Sequence, residues 1–345
     1  MQRLSGNLGL NNAISIYVIT GFLGSGKTTL LNHLVSEPAM ANTAVIINEF
    51  GEVGIDHVLV EKAFEDALLL SNGCLCCTIR GDLLDTLETL AVRRDQGHIP
   101  PFARVVIETT GLADPAPIVE SLTDPIVAAG GFRLYAIATT VDAVHGIGQL
   151  DSQFEAQKQA AIADLILLTK TDLADGTPLR NRLRTLNPGA GIETVVNGVL
   201  DPQKLFSLDG FDPKGKGWLN MPEEPNKQEQ GHDHPHDVNR HRNVRAHSIV
   251  RDRPLPWPAM RGWLQSLASL RGADILRMKG ILDIQGCGVP VAVHGIQSLL
   301  HPPQLLAGWD GALPASRIVI IGRNLETAGL NQALDTALAV NGTRA

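Results

Sequence analysis

Three stretches of this chain combine residue types and spacings that could do chemistry on a nucleotide. The first, Gly21-Phe22-Leu23-Gly24-Ser25-Gly26-Lys27-Thr28-Thr29, is a glycine, four residues and then Gly-Lys-Thr. In that pattern the backbone N–H groups turn inward around an anion where side chains would block its approach. Lys27 is spaced to reach β- and γ-phosphates, and the Thr28 hydroxyl to bind Mg²⁺. The second stretch is Glu108-Thr109-Thr110-Gly111, after the apolar run 104–107. It places a second Mg²⁺-linked carboxylate, Glu108, three residues before a glycine whose N–H can sense the γ-phosphate. The third, Thr169-Lys170-Thr171-Asp172, closes the apolar run 164–168. A carboxylate at Asp172 can accept both N1–H and N2–H of guanine, with Lys170 along the base plane. Adenine presents no such donor pair, so GTP is expected over ATP. The usual guanine motif begins with Asn; here Thr169 stands in that place, and the discriminating Asp172 is kept.

A fourth cluster has softer donors. Cys74, Cys76 and Cys77 lie in Asn72-Gly73-Cys74-Leu75-Cys76-Cys77, after an expected strand 67–70 and before a helix expected near Thr78. Three sulfurs at a helix N-terminus would carry extra thiolate, and thiolates bind Zn²⁺, and also Cu⁺ or Co²⁺. They supply at most three ligands, and a three-ligand site with an open position suits exchange better than permanent structural zinc. The segment 47–56, with its acids and glycines, reads equally as a mobile piece near the γ-phosphate or a metal and as a solvated loop. His232, His234 and His236 interleave with Asp233 and Asp237, and His241 follows close behind, which allows loose collection of divalent metal or a plain polar tether. Cys287 reads as a buried structural cysteine, and His294 and His301 as structural or surface residues.

These groups need a scaffold that brings strand ends together. Apolar runs at 14–19, 44–47, 67–70, 105–107, 135–138, 165–168 and 194–196 are continuous rather than alternating, as in strands buried on both faces. Helical patterns lie between them; Leu83, Leu84, Leu87 and Leu90 share one face. The alternation predicts right-handed βαβ units and an α/β fold with a parallel, doubly wound sheet over 14–210, after a flexible lead-in at 1–13. Residues 211–243 are rich in Gly, Pro, Lys, Glu and His and read as a linker. Over 244–345 the pattern predicts a smaller α+β unit: strands at 246–250, 275–284, 289–294 and 317–321, an amphipathic helix around 260–270 and a closing helix near 325–338.

A length of 345 residues accommodates two domains at about 150 residues each. Hydrophobic and charged fractions of 44% and 19% are those of an ordinary globular chain. A net charge of −7 speaks against nucleic-acid or anionic-membrane partners. No apolar run is long enough to span a bilayer, the first residues lack a secretory core, and a cytoplasmic location is expected. Three of the four cysteines fall within 74–77, which in a reducing compartment points to metal or reactive thiols.

Taken in order, GFLGSGKTTL, NEFGEVGID, GCLCC, ETTGLADP and TKTD resemble the CobW-related P-loop GTPases, with the same His-rich linker and a C-terminal unit ending in RIVIIGRNL. The resemblance covers nearly the whole chain, Cys74-x-Cys76-Cys77 being its most specific mark, and is closer to members regarded as zinc metallochaperones than to those serving cobalamin synthesis. It implies a GTPase that binds a transition metal at Cys74, Cys76 and Cys77, with Glu49 or Glu52 as extra ligands, and delivers it to a client metalloprotein. It also implies that Gly24, Ser25, Gly26, Lys27, Thr28 and Thr29 hold phosphates and Mg²⁺, that Glu108 supports Mg²⁺, and that Lys170 and Asp172 read guanine. Alternatives stay open: cobalt insertion in cobalamin synthesis, activation of another metalloenzyme, a P-loop kinase, or a non-catalytic metal store. The metal, the client and the oligomeric state, a homodimer included, are not specified.

Overall fold

The computed structural model describes residues 13–48, 68–69, 75–79, 83–208, 244–309 and 313–342. The first part of the chain runs β1 (Ile14–Gly21), α1 (Lys27–Ser36), a 3-10 turn (Pro38–Met40), β2 (Thr43–Asn48), β3 (Leu68–Leu69) and β4 (Leu75–Ile79). It continues with α2 (Leu83–Asp95), β5 (Arg104–Glu108), α3 (Pro115–Leu122), α4 (Pro125–Ala129), β6 (Phe132–Asp142), α5 (Gly146–Ser152) and α6 (Phe154–Ile162). β7 (Leu165–Thr169), α7 (Thr177–Leu186), β8 (Gly191–Val195) and α8 (Pro202–Phe206) complete it. The strands form one sheet in the order β3-β4-β2-β5-β1-β6-β7-β8. Every pair from β4 to β8 is parallel, and β3 is an antiparallel edge on β4.

The continuous apolar runs explain this sheet. Residues of β1, β5 and β7 are buried on both faces, with Ile16, Ile19, Val105, Ile107, Ile166 and Leu167 fully enclosed. Helices cover both sides; α2 turns in Leu83, Leu87 and Leu90, one stripe at helical spacing. Asp114 caps α3 by accepting from the Ala116 N–H, with Pro115 in the first turn where no donor is needed.

The second part runs β9 (Arg245–Arg251), α9 (Trp257–Arg271), β10 (Ile275–Leu282), β11 (Val291–Ile296), β12 (Leu299–Leu300), β13 (Gln304–Leu305), β14 (Ser316–Gly322) and α10 (Thr327–Gly342). Its sheet is antiparallel, ordered β12-β11-β10-β14-β9 with β13 on β11. Alternation along its strands separates two faces. Ile318 and Ile320 pack under α9 and α10 with Met260, Trp263 and Leu334. Val319, Ile321, Leu276 and Ala292 join the core of the first sheet, together with Ala156, Ala160 and Ile162 of α6. The antiparallel sheet therefore docks on α6.

Four sequence expectations need correction. The run 67–70 is a two-residue antiparallel edge, not a parallel strand. Residues near Thr78 belong to strand β4, and the following helix begins at Leu83. The run ending near residue 196 starts earlier, at Gly191. Cys287 is half-buried at the margin of the second core, not enclosed. The expected lead-in and linker lie outside the described residues. Among the described residues, no helix is long and apolar enough to cross a membrane.

Candidate functional site

The loops following β1, β5, β6, β7 and β8 gather at the carboxyl ends of the parallel strands, where open α/β sheets bind ligands. The loop after β1 is shaped by glycines. Gly24 and Gly26 have φ of 70° and 92°, a left-handed conformation that costs other residues energy. At Gly21 a Cβ would lie 2.2 Å from the Thr140 hydroxyl and 2.5 Å from its carbonyl oxygen. Helix α1 then starts at Lys27, so its free N–H groups and positive dipole end face the loop.

Lys27 is buried at 8% exposure, and its Nζ donates to the carbonyls of Gly21 (2.8 Å) and Phe22 (3.2 Å). Burial lowers its pKa, opposed in part by the nearby Glu108 carboxylate. Thr28 Oγ1 donates to Glu108 Oε1 at 3.1 Å, uniting two side chains that stand 80 residues apart. A hydroxyl and a carboxylate at this spacing are the hard oxygen donors that suit Mg²⁺. Ser25 is fully buried, its hydroxyl 2.6 Å from that of Thr140, and Thr29 is exposed on the first turn of α1.

The loop after β5 closes against the phosphate loop. Thr109 bonds the Thr20 hydroxyl at 2.8 Å, and a Cβ on Gly111 would come within 2.9 Å of the Leu23 backbone. Only glycine allows that approach, and it brings the Gly111 amide beside the phosphate loop.

The guanine-type motif is held by contacts that local sequence does not reveal. Thr169 Oγ1 donates to the Ser25 carbonyl at 2.8 Å, so the residue replacing Asn ties this loop to the phosphate loop. Lys170, at φ 56°, pairs through Nζ with Asp142 Oδ2 at 2.7 Å. Asp142 is 1% exposed and its other oxygen accepts from the Val144 N–H, so it is a fixed anchor for Lys170. Asp172 is exposed on the same loop. After β8, Gly198 (φ 78°) sits where a Cβ would be 2.5 Å from the Thr29 carbonyl. Asp142 and the Asn197-Gly198 turn escape sequence reasoning; the only local signal for Asp142 is an acid ending an apolar strand, as at Glu108.

The structure brings together Gly21, Gly24, Ser25, Gly26, Lys27, Thr28, Thr29, Glu108 and Gly111, with Lys170 and Asp172 on an adjacent loop. It treats the soft-metal candidates differently. Cys74, Glu49 and Glu52 lie outside the described residues. Cys76 and Cys77 lie on β4 opposite Val45 and Ile46, so the thiolate argument from a helix N-terminus does not apply to them. Among the described residues no group of three or more His, Cys, Asp or Glu is placed to hold a metal.

Two family models match. One, described as CobW/HypB/UreG, nucleotide-binding domain, covers residues 15–193, and the other, Cobalamin synthesis protein cobW C-terminal domain, covers 244–338. The chain is 35% identical to a protein of Escherichia coli K12 named Zinc chaperone YjiA, over 91% of this chain and 95% of that one. It is 29% identical to a Pseudomonas aeruginosa protein named Zinc chaperone CobW, over 94% and 92% of the two chains. The Zn(II)-bound structure of the Escherichia coli YjiA GTPase superposes with a TM-score of 0.76 at 32% identity, covering 94% of this chain and 99% of that one.

Proposed function

The chain belongs to the CobW/HypB/UreG family, and on that premise we propose that it is a GTP-hydrolysing metallochaperone that binds zinc and passes it to a client metalloprotein. Residues 14–210 are the GTPase unit in this reading, 211–243 a His-rich tether and 244–345 the C-terminal unit. Relatives of near full-length overlap are named zinc chaperones, and one is a GTPase seen with zinc.

The observation that carries the nucleotide half is the Thr28–Glu108 hydrogen bond beneath the N-terminus of α1, with Lys27 alongside. Lys27 exchanges its two loop carbonyls for phosphate oxygens, which bear full charge and bind an ammonium more strongly. The Gly111 amide, packed against the phosphate loop, is read as the donor to the terminal phosphate. Lys170, steadied by Asp142, flanks the base, and Asp172 selects guanine through its paired donors. Mg²⁺ arriving with the nucleotide would be held by Thr28 and Glu108 and would neutralise phosphate charge. Slow intrinsic hydrolysis is expected, because positioning groups are present without an identified arginine finger.

Zinc is the cargo, with Cys74, Cys76 and Cys77 as its thiolate ligands and Glu49 or Glu52 as further donors. Zinc affinity then depends on whether GTP or GDP is bound, and zinc alters nucleotide affinity by the same factor. The test is titration of Zn²⁺ into the reduced, full-length protein against a competing chelator, with a GTP analogue or GDP bound. A large difference in affinity between the two states, lost in Cys76→Ser, is the expected result. Equal affinities would uncouple metal from nucleotide, and an unchanged Cys76→Ser would remove the cysteine assignment. Several zinc ions per chain, indifferent to nucleotide, would instead indicate metal storage.

A further inference from the structure

Helix α6 carries two buried glutamines, Gln157 and Gln159, and each reaches a different part of the molecule. Gln159 is fully buried. Its Nε2 donates to the carbonyl of Gly111 at 3.2 Å and to that of Ala113 at 3.1 Å. Two carbonyl acceptors require the amide nitrogen on that side, so the orientation of the group is set by its partners. One residue earlier, Lys158 forms an ion pair with Asp114, the cap of α3. The segment 111–114, whose Gly111 abuts the phosphate loop, is thus held to α6 by three side-chain contacts.

The same helix grips the antiparallel sheet. Gln157 accepts from the Val244 N–H at 3.4 Å and donates to the Leu150 carbonyl. Arg323 stands over the Phe154 ring at 5.0 Å. Just past the helix, Asp164 is enclosed by β10: Arg277 pairs with it, and Lys279 Nζ lies 2.7 Å from it. Its second oxygen accepts from the Ile137 N–H at 3.0 Å. The helix end is itself secured, because Asn187 Nδ2 donates to the carbonyls of Ala160, Ala161 and Ala163. Its last turn is bonded and one face lies in the shared core, so α6 is held as one stiff element.

We propose that α6 transmits nucleotide state to the C-terminal sheet, with Gln159 as the positioning residue that ties the 111–114 loop to it and Asp164 as the far anchor on Arg277 and Lys279. This rests on the reading of Gly111 as a γ-phosphate contact. A terminal phosphate that draws the Gly111 amide toward it moves the peptide whose carbonyls Gln159 holds. α6 follows, and Gln157 and Asp164 carry the shift to Val244 and β10. Because coupling is reciprocal, a change at the β10 anchor alters the preference for GTP over GDP.

The test uses the full chain, bound to GDP or to a non-hydrolysable GTP analogue, with amide hydrogen exchange and nucleotide affinity as readouts. In the unmodified protein, exchange is expected to differ between the two nucleotides both at residues 110–114 and in β10 and β9. Gln159→Met removes both donors while keeping the side-chain length. It is expected to leave GDP affinity within about twofold, to lower the GTP-over-GDP preference by about tenfold and to abolish the difference in β10. A role in stability alone would lower the unfolding temperature and leave that preference unchanged. Lys279→Met, remote from the nucleotide, is expected to shift the preference by a few-fold, and it decides the matter should Gln159→Met not fold. Unchanged preference in the folded variants would overturn the proposal. A nucleotide-dependent difference at 110–114 with none in β10 would also overturn it. No difference at 110–114 would instead sink the γ-phosphate reading of Gly111.

Discussion

The nucleotide face and the contact between the two sheets each bury a charge, and they hold it in opposite ways. Lys27 rests on two neutral carbonyls of its own loop, at 2.8 and 3.2 Å. Those partners are weak and local, so in the proposed reading a phosphate displaces them without leaving a charge behind. Asp164 rests on two cations from another sheet and on a backbone N–H. Burial would push its carboxyl up, but Arg277, Lys279 and the Ile137 N–H together hold it below the ordinary carboxylate value. Removing Asp164 itself strands the buried Arg277 charge in the interior, whereas losing Lys279 leaves the Asp164–Arg277 pair in place. One site is built to exchange partners and the other to keep them.

The sharpest way to break this contrast is Asp164→Ala. It leaves Arg277 buried without its carboxylate and should destabilise the protein by about 3–5 kcal/mol in denaturant unfolding. A loss below about 1 kcal/mol would mean that the two cations find other partners readily. Lys27→Ala should show the reverse profile, with little loss of stability and a fall in GTP hydrolysis of about a hundredfold or more. A large drop in unfolding temperature for Lys27→Ala would make that lysine structural, and the two sites alike.

Acid should discriminate between the two regions as well. His294 and His301 stack at 4.2 Å between ring centroids, beside the Asp164 cluster. Burial, then His301, Arg277 and Lys279, pushes His294 well below the ordinary histidine value. Burial, then Arg277, lowers His301 to about 4, with Asp164 opposing. A histidine whose folded pKa is depressed binds its proton first in the unfolded chain, so its contribution is complete above about pH 6.5 and is lost as pH falls toward 4. His301 alone makes this worth up to about 3 kcal/mol. Unfolding free energy measured across that window should therefore decline with acid, and less so in His301→Phe, which cannot protonate. An identical slope in that variant would place the titrating group elsewhere.

The smallest expected effect lies on the nucleotide face. Thr169→Val removes the hydroxyl that bonds the Ser25 carbonyl and should weaken GTP and GDP binding alike by a few-fold, about 1 kcal/mol. A loss confined to GTP would mean that Thr169 acts on the terminal phosphate side of the loop rather than on the base side.

The parts of this site that sequence made legible are those whose geometry is nearly local. Gly21 to Thr29 encode a turn and a helix start within nine residues, and the glycine conformations follow from residue type. The strands carrying Glu108 and Thr169 show as apolar runs because both faces of the sheet are covered. Short runs remain ambiguous between strand and helix. That is why residues near Thr78 read as a helix start, although pairing with β2 makes them a strand.

Residue types and spacing alone thus determined an α/β fold with a phosphate-loop pattern and a second α+β unit, and marked Glu108, Lys170 and Asp172 as candidates. Tertiary structure decided which distant side chains complete them. Thr169 reaches Ser25 across 144 positions, Lys170 finds Asp142, and Asp164 meets Arg277 across 113. Gln159, an ordinary polar residue on a short helix, becomes the support of the Gly111 loop only because the chain folds that loop over it. Periodicity records which face of an element is buried. The partner a buried polar group finds there depends on the neighbouring element, which only the packed chain supplies.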